Sequence, residues 1–97
     1  MKTPVLKITV KSQKGFCSAG HKVGDSWIIE DMKTPGGICL DGFACCMTFL
    51  TALKLGANLP FSGDPDVGEV VCPDEKNPLV FEIRRLRDEN GELIYKG

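Results

Sequence analysis

The sequence predicts an α+β fold: one central helix packed on an antiparallel sheet, in the approximate order β-β-α-β-β-β. Three observations predict it. Asp41–Leu55 is the one stretch long and apolar enough to form a central helix. The other apolar residues recur with period two or in short runs, which is the mark of strands. Asn90-Gly91 is the strongest two-residue hairpin signal in the chain and favours antiparallel pairing.

Taken in order, Val5–Lys11 alternates cleanly, with Leu6, Ile8 and Val10 on one face and Lys7, Thr9 and Lys11 on the other. That is a half-buried strand. After a turn at Ser12–Gly15, the segment Phe16–Asp25 is too rich in glycine for a helix. Gly24-Asp25 then turns the chain into a second strand, Trp27–Glu30, whose Trp27 is expected in the core. The Thr34-Pro35-Gly36-Gly37 loop delivers Ile38-Cys39-Leu40 to the helix.

Asp41 is placed to cap the helix, and Gly56 offers a left-handed stop directly after Leu55. At about 100° per residue, Phe43, Cys46, Met47, Leu50 and Leu53 share one face, and the polar side is narrow. Cys46 should therefore be buried and Cys45 nearer the surface. The narrow polar side also predicts cover from a long loop or from a second copy, and hence a homo-oligomer.

Gly56–Asp66 reads as an ordered connector whose Leu59 and Phe61 can fold back on the core. A third strand, Val67–Cys72, stops at Pro73. Leu79, Phe81 and Ile83 alternate, but Leu86 falls out of phase, which suggests a β-bulge or bend at Arg84-Arg85. The strand ending near Arg87 then pairs across Asn90-Gly91 with Glu92–Tyr95 as the C-terminal edge of the sheet. The basic run Arg84-Arg85-Leu86-Arg87 reads as a solvated strand end answered by Asp88, Glu89 and Glu92.

Ninety-seven residues make a single domain, 1–97, long enough to bury a core without disulfide staples. A net charge of −1 gives no electrostatic case for nucleic acid or an anionic membrane. The helical run is too short, and too charged at its ends, to span a bilayer. No export signal precedes the first strand pattern, so five cysteines, an odd number, are expected as thiols or ligands in a reducing cytoplasm.

Cys17, His21, Cys39 and Cys72 are the residues of chemical interest. All four fall in loops or at element ends, where reactive groups gather on a rigid frame. Three thiolates and an imidazole complete a tetrahedral zinc site, although neither half has the C-x2-C knuckle of a standard finger. The plainer alternative makes Cys39 and Cys72 small buried apolar groups. A third makes Cys17, beside His21, or Cys39, at the helix N-terminus, a reactive thiol of a redox or transfer enzyme. Asp64, Asp66 and Glu69 lack the full loop pattern of a calcium site. The function these readings favour is an accessory module binding a metal or small molecule; the alternatives are a cysteine-dependent redox or transfer enzyme and, because of the apolar helix, a structural or subunit-interaction protein.

Cys17-x3-His21-Lys22-Val23-Gly24-Asp25, Gly37-Ile38-Cys39 and Cys72-Pro73-Asp74, in this order, resemble an uncharacterised family of short prokaryotic proteins. The likeness covers nearly the whole chain. It implies a cytoplasmic prokaryotic protein and no particular activity. Relatives are richer in aromatics and often carry a histidine where this chain has Ala44-Cys45-Cys46, so the resemblance assigns Cys45 and Cys46 no role.

Overall fold

The computed structural model describes residues 2–30, 32–74 and 76–96. The chain runs β1 (Thr3–Pro4), β2 (Leu6–Gln13), β3 (Ser26–Ile29), α1 (Leu40–Lys54), β4 (Val67–Val71), β5 (Leu79–Arg85) and β6 (Tyr95–Lys96). One helix packs on an antiparallel four-stranded sheet of order β3-β2-β5-β4. That is the expected α+β layout with one strand more. The addition is β1, a two-residue piece that pairs with β6 in a small second sheet.

Strand alternation builds the core. Leu6, Ile8 and Val10 of β2 stand opposite Arg85, Ile83 and Phe81 of β5, and all six are buried. The helix lays Cys46, Leu50 and Leu53 on this surface, and Leu59 of the connector closes its side. Trp27 is half-buried at the rim of the core, its ring 6.4 Å from that of Phe81. The other sheet face carries Lys7, Thr9, Glu82 and Arg84 and needs no cover. On the helix, Met47 is 42 % exposed rather than part of the core face. The interior side is instead centred on Cys46, Leu50 and Leu53.

The helix ends as its sequence asks and begins differently. Gly56, at φ 96°, donates its N–H to Leu53, and Ala57 donates to Ala52, which closes a Schellman motif. At the start, Cys39 rather than Asp41 holds the cap position and makes no side-chain cap bond, so Asp41 falls within the first turn. Gly42 lets this turn settle on the Phe81 ring, which a Cβ there would approach to 2.7 Å.

The bulge is in β2, not at Arg84-Arg85. Lys11 is the extra residue between the Val10–Phe81 and Ser12–Val80 pairs. Leu86 is out of phase because β5 ends at Arg85, which occupies the next inward position and is itself buried, at 3 % exposure. Of the basic run, then, Arg85 is not solvated, whereas Arg84 and Arg87 stay partly exposed. Arg85 donates to Asp66, to the Leu53 and Ala57 carbonyls and to Asn58, while Arg87 donates to Asp66 and to the Gly91 carbonyl. The answering carboxylates come from the connector, with Asp64 holding Arg84, rather than from across the hairpin. The same bonds engage Asp64 and Asp66 with guanidinium groups.

At the C-terminus, Asp88–Glu92 does turn, with Gly91 donating to Asp88 and an Arg87–Leu93 bridge. Its outgoing arm leaves the main sheet, however, and β6 pairs with β1 instead. The edges of the four-stranded sheet are β3 and β4.

Candidate functional site

The bulge at Lys11 decides what the end of β2 presents. Beyond it the alternation shifts by one, and Gln13 rather than Ser12 takes the inward side opposite Leu79. Bulges re-aim side chains in this way. The Gln13 amide, oriented to satisfy both ends, accepts the Cys17 N–H and donates to the His21 carbonyl, each at 3.0 Å. Gln13 thus clamps both ends of the Cys17–His21 loop, which is tightened by a Gly20 N–H bond to the Cys17 carbonyl.

His21 is driven inward by this clamp. It is 6 % exposed, with its ring edge-on to Trp27 at 4.8 Å. Its Nε2 accepts the backbone N–H of Cys39 at 2.8 Å. The histidine thus ties the first long loop to the residue that caps the helix.

Cys72 follows β4, and its N–H donates to the Leu79 carbonyl. The turn after it is closed on Asp74, whose carboxylate accepts the N–H groups of Lys76 and Asn77 and the Asn77 side-chain amide. Asn77 in turn accepts the Phe16 N–H at 2.9 Å, joining this turn to the Cys17 loop. Gly15 makes room for that bond: it has φ 83°, and a Cβ would meet Asn77 Oδ1 at 2.2 Å.

The three segments enclose a pocket of about 230 Å³ whose wall includes Cys17, Cys39, Cys72, Asp41 and Asp74. Three of the four expected site residues therefore share one cavity. The imidazole of His21 is not among the groups described on that wall; it stands behind Cys39, with Nε2 engaged. All five cysteines are free thiols, and Cys17, Cys39, Cys45 and Cys72 are half-buried. Burial pushes the Cys72 thiol up, with Cys39, then Cys45, Cys17 and Asp41, adding to the effect. Burial drives Cys46 further, to about 12, with Cys45 and Cys72 contributing. Among the described residues, no group of three or more His, Cys, Asp or Glu side chains is arranged to hold a metal ion.

Sequence reasoning missed Gln13 and Asn77, which hold the loops but belong to no chemical motif. It treated Asp41 as a cap, whereas the side chain lines the pocket. Across the helix, a smaller apolar groove of about 110 Å³ lies between Phe43, Met47, Leu50, Ile29 and Met32, with Lys33 and Lys54 on its walls. No helix among the described residues is long and apolar enough to cross a membrane. No family model matches the chain, and neither a curated protein nor a solved structure shows significant similarity to it.

Proposed function

We propose that this chain is a cytoplasmic binding module for a soft, thiol-seeking ligand, with the pocket of Cys17, Cys39 and Cys72 as its site. One observation carries the reading. Thiols from three separate segments line a single cavity, and Asp41 and Asp74 make its wall acidic. Thiolate donors select soft or borderline metals, and zinc is the metal that three thiolates and one further donor hold. His21 serves this site by position, since its Nε2 is occupied by the Cys39 N–H. Binding zinc requires the thiols to rotate together, because no ready-made metal group stands among the described residues. The likeness of the Cys17, Cys39 and Cys72 motifs to short prokaryotic proteins supports the compartment and leaves the ligand open.

The test is to purify the protein without chelator, measure zinc and iron per chain, and follow alkylation of each cysteine with and without added zinc. One metal ion per chain, with Cys17, Cys39 and Cys72 protected together, is the expected result. Metal well below that ratio, with all three alkylating at rates indifferent to zinc, would end the reading.

A second reading, a cysteine-dependent redox or transfer enzyme, is favoured by the place of Cys39. It holds the cap position with no side-chain cap bond, at the positive end of α1 and on the wall of an open pocket. Rapid, stoichiometric reaction of Cys39 alone with a small disulfide would favour this reading over the first.

A further inference from the structure

A second cavity, the groove of about 110 Å³, runs between α1 and the β2–β3 pair. Phe43, Met47, Leu50 and Lys54 line it from the helix. Spaced i, i+4, i+7 and i+11, they form one stripe about 16 Å long. Leu6 and Ile29 also line the groove and are paired with each other. Leu6 is paired with Arg85 as well, whose Nη1 donates to the Leu53 carbonyl. The Leu6–Ile29 end of the groove therefore lies at the last turn of α1, where Lys54 stands.

The loop after β3 supplies a further wall. The Lys33 N–H donates to the Glu30 carbonyl at 3.1 Å, and within that turn Met32 has φ 62°. Met32 is the one non-glycine residue at positive φ among the described residues. Such backbone persists where its surroundings enforce it, and it clusters at ligand clamps. Here it accompanies Met32 and Lys33 onto the groove wall. No acidic side chain among the described residues lines the groove, and neither Lys33 nor Lys54 has an ion-pair partner among them. Lysines so placed lay their stems on the apolar wall and keep the ammonium group at the rim, where an anion can meet it. The negative end of the α1 dipole is nearby but weaker. It amounts to about half a charge, and Arg85 donates to its Leu53 and Ala57 carbonyls.

We propose that this groove binds a small aliphatic carboxylate, its chain lying along α1 toward Phe43 and its carboxylate held by the ammonium groups of Lys54 and Lys33. The charge of the ligand follows from two lysines without a counter-charge, and its apolar body from the walls between them. An apolar cavity of about 150 Å³ takes a benzene ring, so a groove of about 110 Å³ takes a chain of about six carbons at most. Thr3 and Thr34 are the only uncharged polar side chains on the walls, too few to hold a hydroxylated body such as a sugar acid. The groove shares no lining residue with the thiol pocket.

Titration of the isotope-labelled chain with sodium hexanoate at constant ionic strength, followed by amide NMR, tests it. Saturable shifts should fall on Ile29, Thr34, Met47 and Leu50. From butanoate to hexanoate the affinity should rise about fourfold for each added methylene, and decanoate, which outgrows the groove, should gain nothing further. Lys54→Met, at a partly exposed position, should keep the circular dichroism of the parent protein. It should weaken hexanoate about tenfold and leave the binding of hexanol unchanged. A hexanoate titration that never saturates overturns the proposal, as does an affinity indifferent to chain length. Hexylamine bound as tightly as hexanoate, or hexanoate bound equally by the parent and by a Lys33→Met, Lys54→Met double variant, overturns the role of the lysines and with it the carboxylate. None of these readouts depends on whether the thiols bind a ligand.

Discussion

His21 and Cys39 are joined by one bond across the molecule: the Cys39 backbone N–H donates to the imidazole Nε2 at 2.8 Å. An acceptor at Nε2 makes the ring the neutral tautomer protonated at Nδ1. The bond also serves Cys39, which caps the helix and would otherwise bury an unpaired N–H at the wall of the pocket. His21 is thus a positioning residue for the thiol site.

Replacing His21 with Leu leaves that N–H without a partner and should cost about 1–3 kcal/mol in urea unfolding. His21→Gln retains an acceptor and should recover part of the loss. Alkylation of Cys39 should quicken in the Leu variant. Unchanged stability and unchanged Cys39 reactivity together would show that the bond does not hold the helix start.

Arg85 and Asp66 form the other lock, this time at the helix C-terminus. Every contact of the buried guanidinium lies on the connector or the last helical turn, so Arg85→Ala takes a donor from Asp66, from the Leu53 and Ala57 carbonyls and from Asn58, while Arg87 still holds the carboxylate. Losing these buried bonds should cost about 1–3 kcal/mol in urea unfolding. The hydrogen bond from Arg87, with the help of Arg85, outweighs burial and holds the Asp66 carboxyl below the usual carboxylate range. A group whose folded pKa is depressed contributes stability above its unfolded value, about 3.9, and loses it as pH falls through the folded one. Acid titration of unfolding should therefore show a loss below about pH 4 that Asp66→Asn largely removes. An Asn variant with the same acid profile as the parent would assign the loss elsewhere.

How much of this was legible in the sequence differs from element to element. The helix was readable to one residue at each end because its apolar run and Gly56 are local signals. The convergence of Cys17, Cys39 and Cys72 was legible only as a possibility, since it depends on which sheet end faces the helix start. Arg85 was misread because alternation ranks residues by polarity, and an inward Arg is admissible only once Asp66, nineteen residues away, supplies its partner. The bulge was assigned to β5 for the same reason. Its true seat, Lys11, is in a strand whose pattern looks regular until Ser12, and only the β5 register reveals the extra residue. His21 was expected as a ligand because its type suggests one; what no local signal announced is that its Nε2 accepts the Cys39 N–H, eighteen residues away.

Gly42→Ala should destabilise the fold although it replaces glycine within a helix. An exposed site would gain about 1 kcal/mol from that change. Here the new methyl lies 2.7 Å from two atoms of the Phe81 ring, and Phe81 is 1 % exposed with nowhere to move. Overpacking of this kind costs about 1–3 kcal/mol, so the net sign is a loss. A higher melting temperature for the Ala variant would mean that the helix start rides further from the sheet.

Cys46 is fully buried, and its thiol, pushed up to about 12, is almost wholly protonated at neutral pH. It should be the slowest of the five cysteines to alkylate in the native protein, and Cys45, one residue away, markedly faster. Cys46→Asp places an unpaired carboxylate beside Leu50 and Leu53 and should cost on the order of several kcal/mol, enough to unfold a small domain. Equal labelling of Cys45 and Cys46 would put the helix in the wrong rotational phase.

The thiol pocket makes its own prediction through Cys72. Alkylation proceeds through the thiolate, so the pH at which its rate is half-maximal reports the thiol pKa. Burial raises that value first, and Cys39 is the strongest of the neighbours that add to it. The native protein should therefore show a Cys72 midpoint above the ordinary thiol value of about 8.5, and the denatured protein should not. Cys39→Ser should lower the native midpoint only in part, because it removes a neighbour and leaves the burial. Zinc has the opposite influence: a metal ion binds the thiolate and displaces its proton, so protection by zinc should strengthen as pH rises. A native midpoint equal to the denatured one would place Cys72 in open solvent. The pocket would then lose one of its three thiols, and the binding reading would lose its site.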